Sequence, residues 1–152
     1  TGSHPTTKLC LNWIEENNLK NKSLLDYGSG SGILCIVSKL YGADYVIGAE
    51  IDKKAIENAI QNCEINNIQI PFIDLNKSSI HEKFDILIAN ILSNTIIQLS
   101  TTFKTLTKKK LILSGILDKQ VPDVINTYSD WIILKQKKNL EGWNLLEGEI
   151  IA

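Results

Sequence analysis

The heptapeptide DYGSGSG spans residues 26–32 of this chain. It holds three of the chain's nine glycines within five positions. A strand-like run over 23–27 leads into the glycines, and apolar residues at helical spacing follow them over 33–40. A glycine-rich turn from a strand into a helix brings backbone amides close to a ligand at the helix N-terminus. The first question is therefore which ligand this turn approaches.

The rest of the sequence alternates strand-like apolar runs with helical apolar periodicity. Strands are predicted at 23–27, 45–49, 68–73, 84–89 and 111–113. Two further strand-like runs, 131–138 and 143–152, are joined by NLEG without a helical pattern between them and predict an antiparallel hairpin. We therefore expect an α/β fold with a doubly wound, Rossmann-like sheet, mostly parallel, ending in a C-terminal antiparallel hairpin.

Several local predictions can be checked directly against the structure. Thr6 or Thr7 is expected to cap the first helix, and residues 96–106 are expected to form one helix. Ile60 is expected on the apolar face of the helix that follows the second strand. The lysine run 108–110 is interpreted as a solvated turn.

Composition excludes several classes of protein. Among 152 residues, 43% are apolar and 22% charged, and the net charge is −1, so no overall field attracts nucleic acid or an anionic membrane. No apolar run approaches the roughly 18 residues that span a bilayer. The two histidines and three cysteines lack metal-ligand spacing, so we expect no metal site. The cysteines, Cys10, Cys35 and Cys63, are expected as buried free thiols in a reducing compartment.

The spacing of the glycines discriminates between phosphate and other cofactors. A P-loop closes with Gly-Lys-Ser/Thr, and no lysine follows Gly32. A dinucleotide loop reads G-x-G-x-x-G/A, whereas Gly28, Gly30 and Gly32 read G-x-G-x-G. Asp26 precedes the first glycine by two residues, and an acid there suits a cationic group rather than a pyrophosphate. The loop therefore favours S-adenosylmethionine, whose amino group is cationic, over NAD.

Acidic residues at other strand ends fit the same cofactor. Glu50 ends the second strand, 22 residues after Gly28, where an acid can bind both ribose hydroxyls of NAD and of S-adenosyl cofactors alike. Asp74 ends the third strand and is a candidate for the adenine amino group. The structural alternative is that the glycines only form a tight turn and Glu50 is a solvated strand end.

Asn90 is the candidate catalytic residue. It ends the fourth strand within LIANIL, and that strand neighbours the first in the predicted topology. Its amide oxygen can accept a hydrogen bond from an incoming amine and orient the nitrogen lone pair. His4, in SHPTTKLCL, is the only histidine expected near the site, either as the base that deprotonates the amine or as a residue that orders the loop.

These stretches together strongly resemble the PrmA family, bacterial protein methyltransferases that modify large-subunit ribosomal protein eleven. The matching stretches are TGSHPTTKLCL, LLDYGSGSGIL, VIGAEIDKKAIENA, FDILIANIL, LILSGIL and EGWNLLEG, in that order, and they cover nearly the whole chain. The resemblance implies that Thr7, Gly28, Gly30 and Glu50 bind S-adenosylmethionine and that Asn90 lies in the active site. It also implies trimethylation of lysine side chains and of an N-terminal amine on a ribosomal protein, with S-adenosylhomocysteine as the second product.

The sequence also departs from the family pattern. Glu50 stands where aspartate is usual, so the ribose or the strand end must adjust. Residues 1–152 are expected to form a single catalytic domain without the family's N-terminal substrate-recognition domain, and the absence of methionine suggests a fragment. We expect a cytoplasmic monomer that binds neither membrane nor nucleic acid directly. The alternatives are a methyltransferase acting on another protein, a small molecule or nucleic acid, an NAD-dependent oxidoreductase, and a non-catalytic scaffold.

Overall fold

Strands and helices alternate along residues 4–150, the part of the chain that the computed structural model describes. The strands are β1 Ser23–Tyr27, β2 Tyr45–Glu50, β3 Phe72–Asp74, β4 Phe84–Asn90, β5 Thr107–Leu117, β6 Leu134–Leu140 and β7 Trp143–Glu149. The helices are α1 Pro5–Glu16, α2 Ile33–Leu40, α3 Lys53–Ile65, α4 Ser93–Gln98, α5 Ser100–Leu106 and α6 Val121–Tyr128. A 3₁₀ turn, Asp118–Gln120, leads into α6.

The seven strands form one sheet in the order β3-β2-β1-β4-β5-β7-β6. The first five are parallel, and β7 runs antiparallel to both β5 and β6. The predicted doubly wound sheet and its C-terminal hairpin are thus confirmed. The chain moves outward from β1 to β3 and then returns to place β4 on the other side of β1, which creates a switch point at the carboxyl ends of β1 and β4.

Both faces of the sheet are covered by helices. Leu25 and Leu87 point into a cluster that includes Phe103 and Tyr128, whereas Leu24 and Ile86 point to the opposite face. That second cluster contains residues of α1 and α2. The continuous apolar run of β4 follows from this burial on two sides.

Two of the predicted helix boundaries are wrong. His4, not Thr6 or Thr7, caps α1, and its Nδ1 accepts the backbone N–H of Thr6 at 3.2 Å while Pro5 fixes the first helical φ. The predicted helix 96–106 is interrupted at Leu99. The Ile96 carbonyl, which a continuous helix would pair with residue 100, accepts the hydroxyl of Tyr128 at 2.5 Å instead.

Three further predictions need correction. The lysine run belongs to β5, because Thr107 and Lys110 pair with β4 while Lys110 also pairs with β7. The third strand covers only Phe72–Asp74, since β2 offers it just three register partners. Ile60 is 46% exposed, and the buried face of α3 narrows to Ala59 and Cys63.

Within the part of the chain that the structure describes, no helix is long and apolar enough to cross a membrane. Over the same residues, no group of three or more histidine, cysteine or acidic side chains is arranged to hold a metal ion. The three cysteines are free and buried, as predicted.

Candidate functional site

The glycine loop connects β1 to α2 at the carboxyl edge of the sheet. Gly28, Gly30 and Gly32 have φ values of +82°, +53° and +84°, a region that side chains disfavour. The loop is fastened to β2, because the Ala49 carbonyl accepts the N–H groups of Gly28 at 2.7 Å and Ser29 at 3.0 Å. The alternating glycines therefore give a tight turn whose backbone lies at the switch point.

Gly28 also sets the distance between this loop and the end of β4. A Cβ atom at Gly28 would lie 2.5 Å from Cγ2 of Ile91, so any side chain would push the two segments apart. The absence of a side chain thus lets the loop and the residue after Asn90 pack directly against each other.

Glu50 closes the same loop from the end of β2. Its Oε1 accepts the N–H of Gly30 at 2.8 Å, and its Oε2 accepts those of Ile51 at 2.9 Å and Asp52 at 3.0 Å. The residue is 9% exposed. A carboxylate offers about four acceptor positions, so about one remains for a ligand hydroxyl.

Asp26 lies at the centre of the site and is 1% exposed. Its Oδ2 accepts the thiol of Cys35 at 3.5 Å, whereas its Oδ1 has no hydrogen-bond partner among the described residues. Burial raises the pKa of Asp26 to about 7; the Cys35 hydrogen bond opposes that rise and the nearby Glu50 adds to it. A buried carboxyl oxygen without a partner is costly, so this atom marks a place for a donor from a ligand.

Asn90 and Thr7 meet above the loop although they are far apart in sequence. The Asn90 side-chain amide donates to the Thr7 hydroxyl at 3.3 Å. The start of α1 is held there because Ser114, the β5 register partner of Asn90, donates its hydroxyl to the Thr6 carbonyl at 3.0 Å. The first turn of α1 is thereby anchored over the ends of β4 and β5.

Two cavities at this edge contain most of the predicted site residues. The inner cavity, of about 270 Å³, is lined by Thr7, Asp26, Gly28, Ser29, Gly30, Ser31, Ile33, Leu34 and Asn90. The outer cavity, of about 580 Å³, is lined by Tyr27, Gly28, Glu50, Ile51, Leu75, Ile91, Leu92, Thr95 and Leu99. Gly28 borders both, so the two cavities meet at the glycine loop.

A larger groove of about 640 Å³ lies between α2 and α3 and adjoins the inner cavity, with which it shares Ser31 and Ile33. Aliphatic side chains of α2 and amide side chains such as Asn58 and Asn62 line it, without any titratable group. Acid–base groups and an unpartnered polar atom occur instead at the strand ends, which therefore form the candidate active site.

Two predicted site residues lie outside both cavity linings. The Nδ1 atom of His4 is 2.8 Å from the Thr6 hydroxyl, and its ring packs edge-to-face on Trp143 with centroids 5.5 Å apart. These contacts hold Nδ1 and the ring of His4 against α1 and Trp143. Asp74 is the register partner of Glu50, and its Oδ1 accepts the N–H of Asn76 at 2.9 Å. Asp74 thus borders the site next to Leu75.

The sequence did not reveal two residues that make hydrogen bonds beside the site without lining either cavity. Cys35 and Ser114 each fit an apolar or strand pattern. In the structure, Cys35 donates to the Asp26 carboxyl and Ser114 donates to the carbonyl of Thr6, the residue before Thr7. The apolar walls, Ile51 and Leu75, each directly follow a predicted acidic strand end. An apolar residue directly after an acidic strand end was therefore the sequence signal that could have identified these walls.

Comparison with known proteins identifies the family. Residues 1–150 match the family model described as Ribosomal protein L11 methyltransferase (PrmA). Proteins of that name from Polynucleobacter necessarius and Neisseria gonorrhoeae are 43% identical over 99% of this chain and 40% identical over 97%. These alignments cover 48% and 50% of the two relatives, so the chain spans about half the length of the curated relatives it matches.

Solved structures share the fold of this chain. A ribosomal protein L11 methylase from Lactobacillus delbrueckii superposes with a TM-score of 0.89 at 27% identity, covering 99% of this chain and 81% of that one. The magnesium protoporphyrin IX methyltransferase of Synechocystis shares the fold, with a TM-score of 0.76 at 18% identity over 95% of this chain and 81% of that one. On the near-complete match of its sequence and of its fold, the chain belongs to the ribosomal protein L11 methyltransferase (PrmA) family.

Proposed function

We propose that this chain is the catalytic domain of an S-adenosylmethionine-dependent protein methyltransferase acting on amines of ribosomal protein L11. One observation carries the proposal: the inner cavity joins a buried, unpartnered carboxyl oxygen of Asp26 with the side chain of Asn90 across the glycine loop. The relatives named ribosomal protein L11 methyltransferase support the choice of substrate. In this proposal, residues 1–152 form a single domain.

The residues of both cavities fit the cofactor part by part. The free Oδ1 of Asp26 can accept its ammonium group, and the backbone of Gly28 and Gly30 can approach its amino-acid portion. Glu50 retains about one acceptor position for a ribose hydroxyl. The outer cavity, between Ile51 and Leu75, is wide and apolar enough for adenine, with Asp74 at its border.

Thr7 and Asn90 line the inner cavity beside the proposed cofactor, and Asn90 is proposed also to act on the substrate amine. The cofactor supplies an electrophilic methyl group on a sulfonium. The Nδ2 of Asn90 is held by Thr7, which directs the amide and leaves its oxygen to accept an N–H of the incoming amine. This orients the amine lone pair, and orientation is a large part of such a displacement's barrier. Asn90 is therefore the proposed catalytic residue.

The amine must arrive neutral, because a free lysine has a pKa of about 10.4. Asp26 is not placed to take this proton, since it is buried and assigned to the cofactor. His4 is proposed as the residue that fixes the start of α1, and thereby Thr7, because its Nδ1 caps that helix. The proton then leaves to solvent before transfer.

In this proposal the protein acts as a monomer. It acts in the cytoplasm, where its ribosomal substrate is. A net charge of −1 supports protein rather than nucleic acid as the methyl acceptor. The related alternative, the same chemistry on another protein or on RNA, differs only in the acceptor.

Labelled S-adenosylmethionine tests the acceptor directly. The chain is incubated with unmethylated ribosomal protein L11, with an unrelated lysine-rich protein, and with ribosomal RNA. Label on lysine or N-terminal amines of ribosomal protein L11 alone supports the proposal. Label on RNA or equal label on the unrelated protein would refute the substrate, while no transfer despite cofactor binding would show that substrate docking requires more than residues 1–152.

A further inference from the structure

The side chain of Cys35 lies directly against the buried carboxyl of Asp26. The thiol donates to Oδ2 at 3.5 Å, and both residues are almost completely excluded from solvent. Cys35 lies in the first turn of α2, the helix that the glycine loop enters. The contact therefore joins that helix to the end of β1.

This thiol is the only described hydrogen-bond donor to Asp26. The other carboxyl oxygen, Oδ1, has no partner among residues 4–150, and Asp26 lines the inner cavity. The carboxyl is thus held on one side by sulfur and left open on the side of the ligand. An ionised carboxyl in such a position is stabilised by the Cys35 thiol on one side and by a hydrogen-bond donor of the ligand on the other.

The titratable groups that face Asp26 within the described residues are all acids. Cys10 approaches from α1, Cys35 from α2 and Glu50 from β2. Burial, and then the charge of Asp26, raise the pKa of the Cys35 thiol well above its usual value, with Cys63 adding to the rise from α3. The thiol consequently keeps its proton and remains a donor to Asp26.

We infer that Cys35 is a positioning residue of the proposed cofactor site: its thiol orients the Asp26 carboxylate, favours its ionised form, and so sets the pH above which an ammonium-bearing cofactor binds. The inference rests on the proposed function and adds a residue that does not touch the cofactor cavity itself. Burial and Glu50 oppose ionisation of Asp26, whereas the thiol is the one group among the described residues that supports it.

The consequence is a pH-dependent affinity for one part of the cofactor only. Ligands with an ammonium group need Asp26 ionised, so their affinity rises as pH increases through about 7, the pKa of Asp26. A ligand that lacks the amino-acid portion does not contact Asp26. S-adenosylhomocysteine and 5′-methylthioadenosine form such a pair.

The test is calorimetric titration of the chain with both ligands across about pH 5.5 to 8.5. For Cys35→Ala we expect the midpoint of S-adenosylhomocysteine affinity to rise by about half a pH unit, because one weak donor is lost. Affinity should fall about twofold at pH 7 and about threefold well below that pH. Cys35→Ser keeps a donor and should retain a midpoint at or below that of the unmodified chain. Affinity for 5′-methylthioadenosine should stay unchanged in both variants.

Cys63→Ala is the matched control. It removes a buried thiol from α3, and Cys63 has no described hydrogen bond to Asp26. Its pH midpoint should equal that of the unmodified chain. If Cys35→Ala does not fold, Cys35→Ser against Cys63→Ala still decides the question, because a serine midpoint above that of the unmodified chain contradicts the inference.

The remaining outcomes separate this inference from the proposed function. Equal losses for both ligands at every pH, or a midpoint that does not move in Cys35→Ala, would overturn the role of Cys35 while leaving the cofactor assignment intact. A pH-independent affinity of the unmodified chain would do the same. Failure of S-adenosylhomocysteine to bind the unmodified chain at any pH would instead overturn the proposed function, and with it this inference.

Discussion

The Asn90 side-chain amide at the end of β4 donates to the hydroxyl of Thr7 on α1 at 3.3 Å, which joins residues 83 positions apart in sequence. This contact explains how one amide can be both fixed and available. Its nitrogen is engaged by α1, and its oxygen remains for an amine. It also links the first turn of α1 to the proposed chemistry.

Asn90→Ala should greatly slow methyl transfer while preserving cofactor affinity. We expect the turnover number to fall about 100-fold, the loss typical of a misplaced reactant, with S-adenosylhomocysteine binding changed less than about threefold. Asn94→Ala, a change at an exposed asparagine four residues later, is the control. Undiminished turnover in Asn90→Ala would remove this residue from the active site.

Thr7→Val tests whether the contact with Asn90 matters. The variant keeps the shape of the side chain but removes the acceptor oxygen, so the amide loses one hydrogen bond. Turnover should fall about fivefold, with thermal stability nearly unchanged. The double variant with Asn90→Ala should be no worse than Asn90→Ala alone; an additive loss would indicate that the two residues act independently.

Glu50→Gln should weaken cofactor binding by about 10-fold to 100-fold, because three backbone N–H groups lose a charged acceptor and the amide NH₂ meets donors. Isothermal titration with S-adenosylhomocysteine measures this loss. Asp52→Asn is the control, since Asp52 caps α3 through Lys54 without lining either cavity. Equal affinities for the two variants would argue against Glu50 as part of the site.

Asp26 should make the stability of the protein fall as pH rises. Its pKa is about 7 in the folded protein and near 3.8 when unfolded, so between these values the folded state holds a proton that the unfolded chain has released. The contribution of Asp26 to the free energy of unfolding is fully present below about pH 4. It decreases by about 4 kcal/mol at most as the pH rises to about 7, and it stays constant above that pH.

Urea unfolding of the chain and of Asp26→Asn across that range isolates the effect, because other groups titrate equally in both. The difference in unfolding free energy between the two proteins should change with pH between about 4 and 7 and stay constant above. Parallel curves throughout the range would show that Asp26 ionises normally in the folded state.

Gly115 packs against the backbone of Ile91 beside the site, and Gly42, with a similar φ in open space, is its matched control. Both have a φ near +100°, but a Cβ at Gly115 would lie 2.2 Å from the Ile91 carbonyl, whereas Gly42 has open space. Gly42→Ala should cost about 1 kcal/mol of unfolding free energy from strain. Gly115→Ala should cost about 3 kcal/mol and lower turnover as well, because Ile91 follows Asn90. Equal costs for the two variants would rule out this steric role.

Much of the site could be predicted from sequence because its residues end strands. Asp26, Glu50 and Asn90 follow apolar runs directly, and parallel strands bring their carboxyl ends to one edge. Contacts across long separations could not be predicted in this way. The hydrogen bonds of Cys35 and Ser114 depend on how α2 and α1 pack, which periodicity does not specify.

The errors in the fold have the same origin. At the interruption at Leu99, the Ile96 carbonyl accepts the Leu99 N–H and also the Tyr128 hydroxyl, the second a contact between residues 32 positions apart. The lysines of β5 enter a strand because β4 and β7 pair with them on either side, although their local sequence resembles a turn. Tertiary pairing overrides local propensity at both places.

Titration of the unmodified chain with S-adenosylhomocysteine tests the central claim, that the cavities at the glycine loop bind an S-adenosyl cofactor. At about pH 8, where Asp26 is mostly ionised, we predict one site per chain and a dissociation constant below about 0.1 mM, with no heat from NAD. Absence of binding by S-adenosylhomocysteine at millimolar concentration, or tighter binding of NAD, would contradict it.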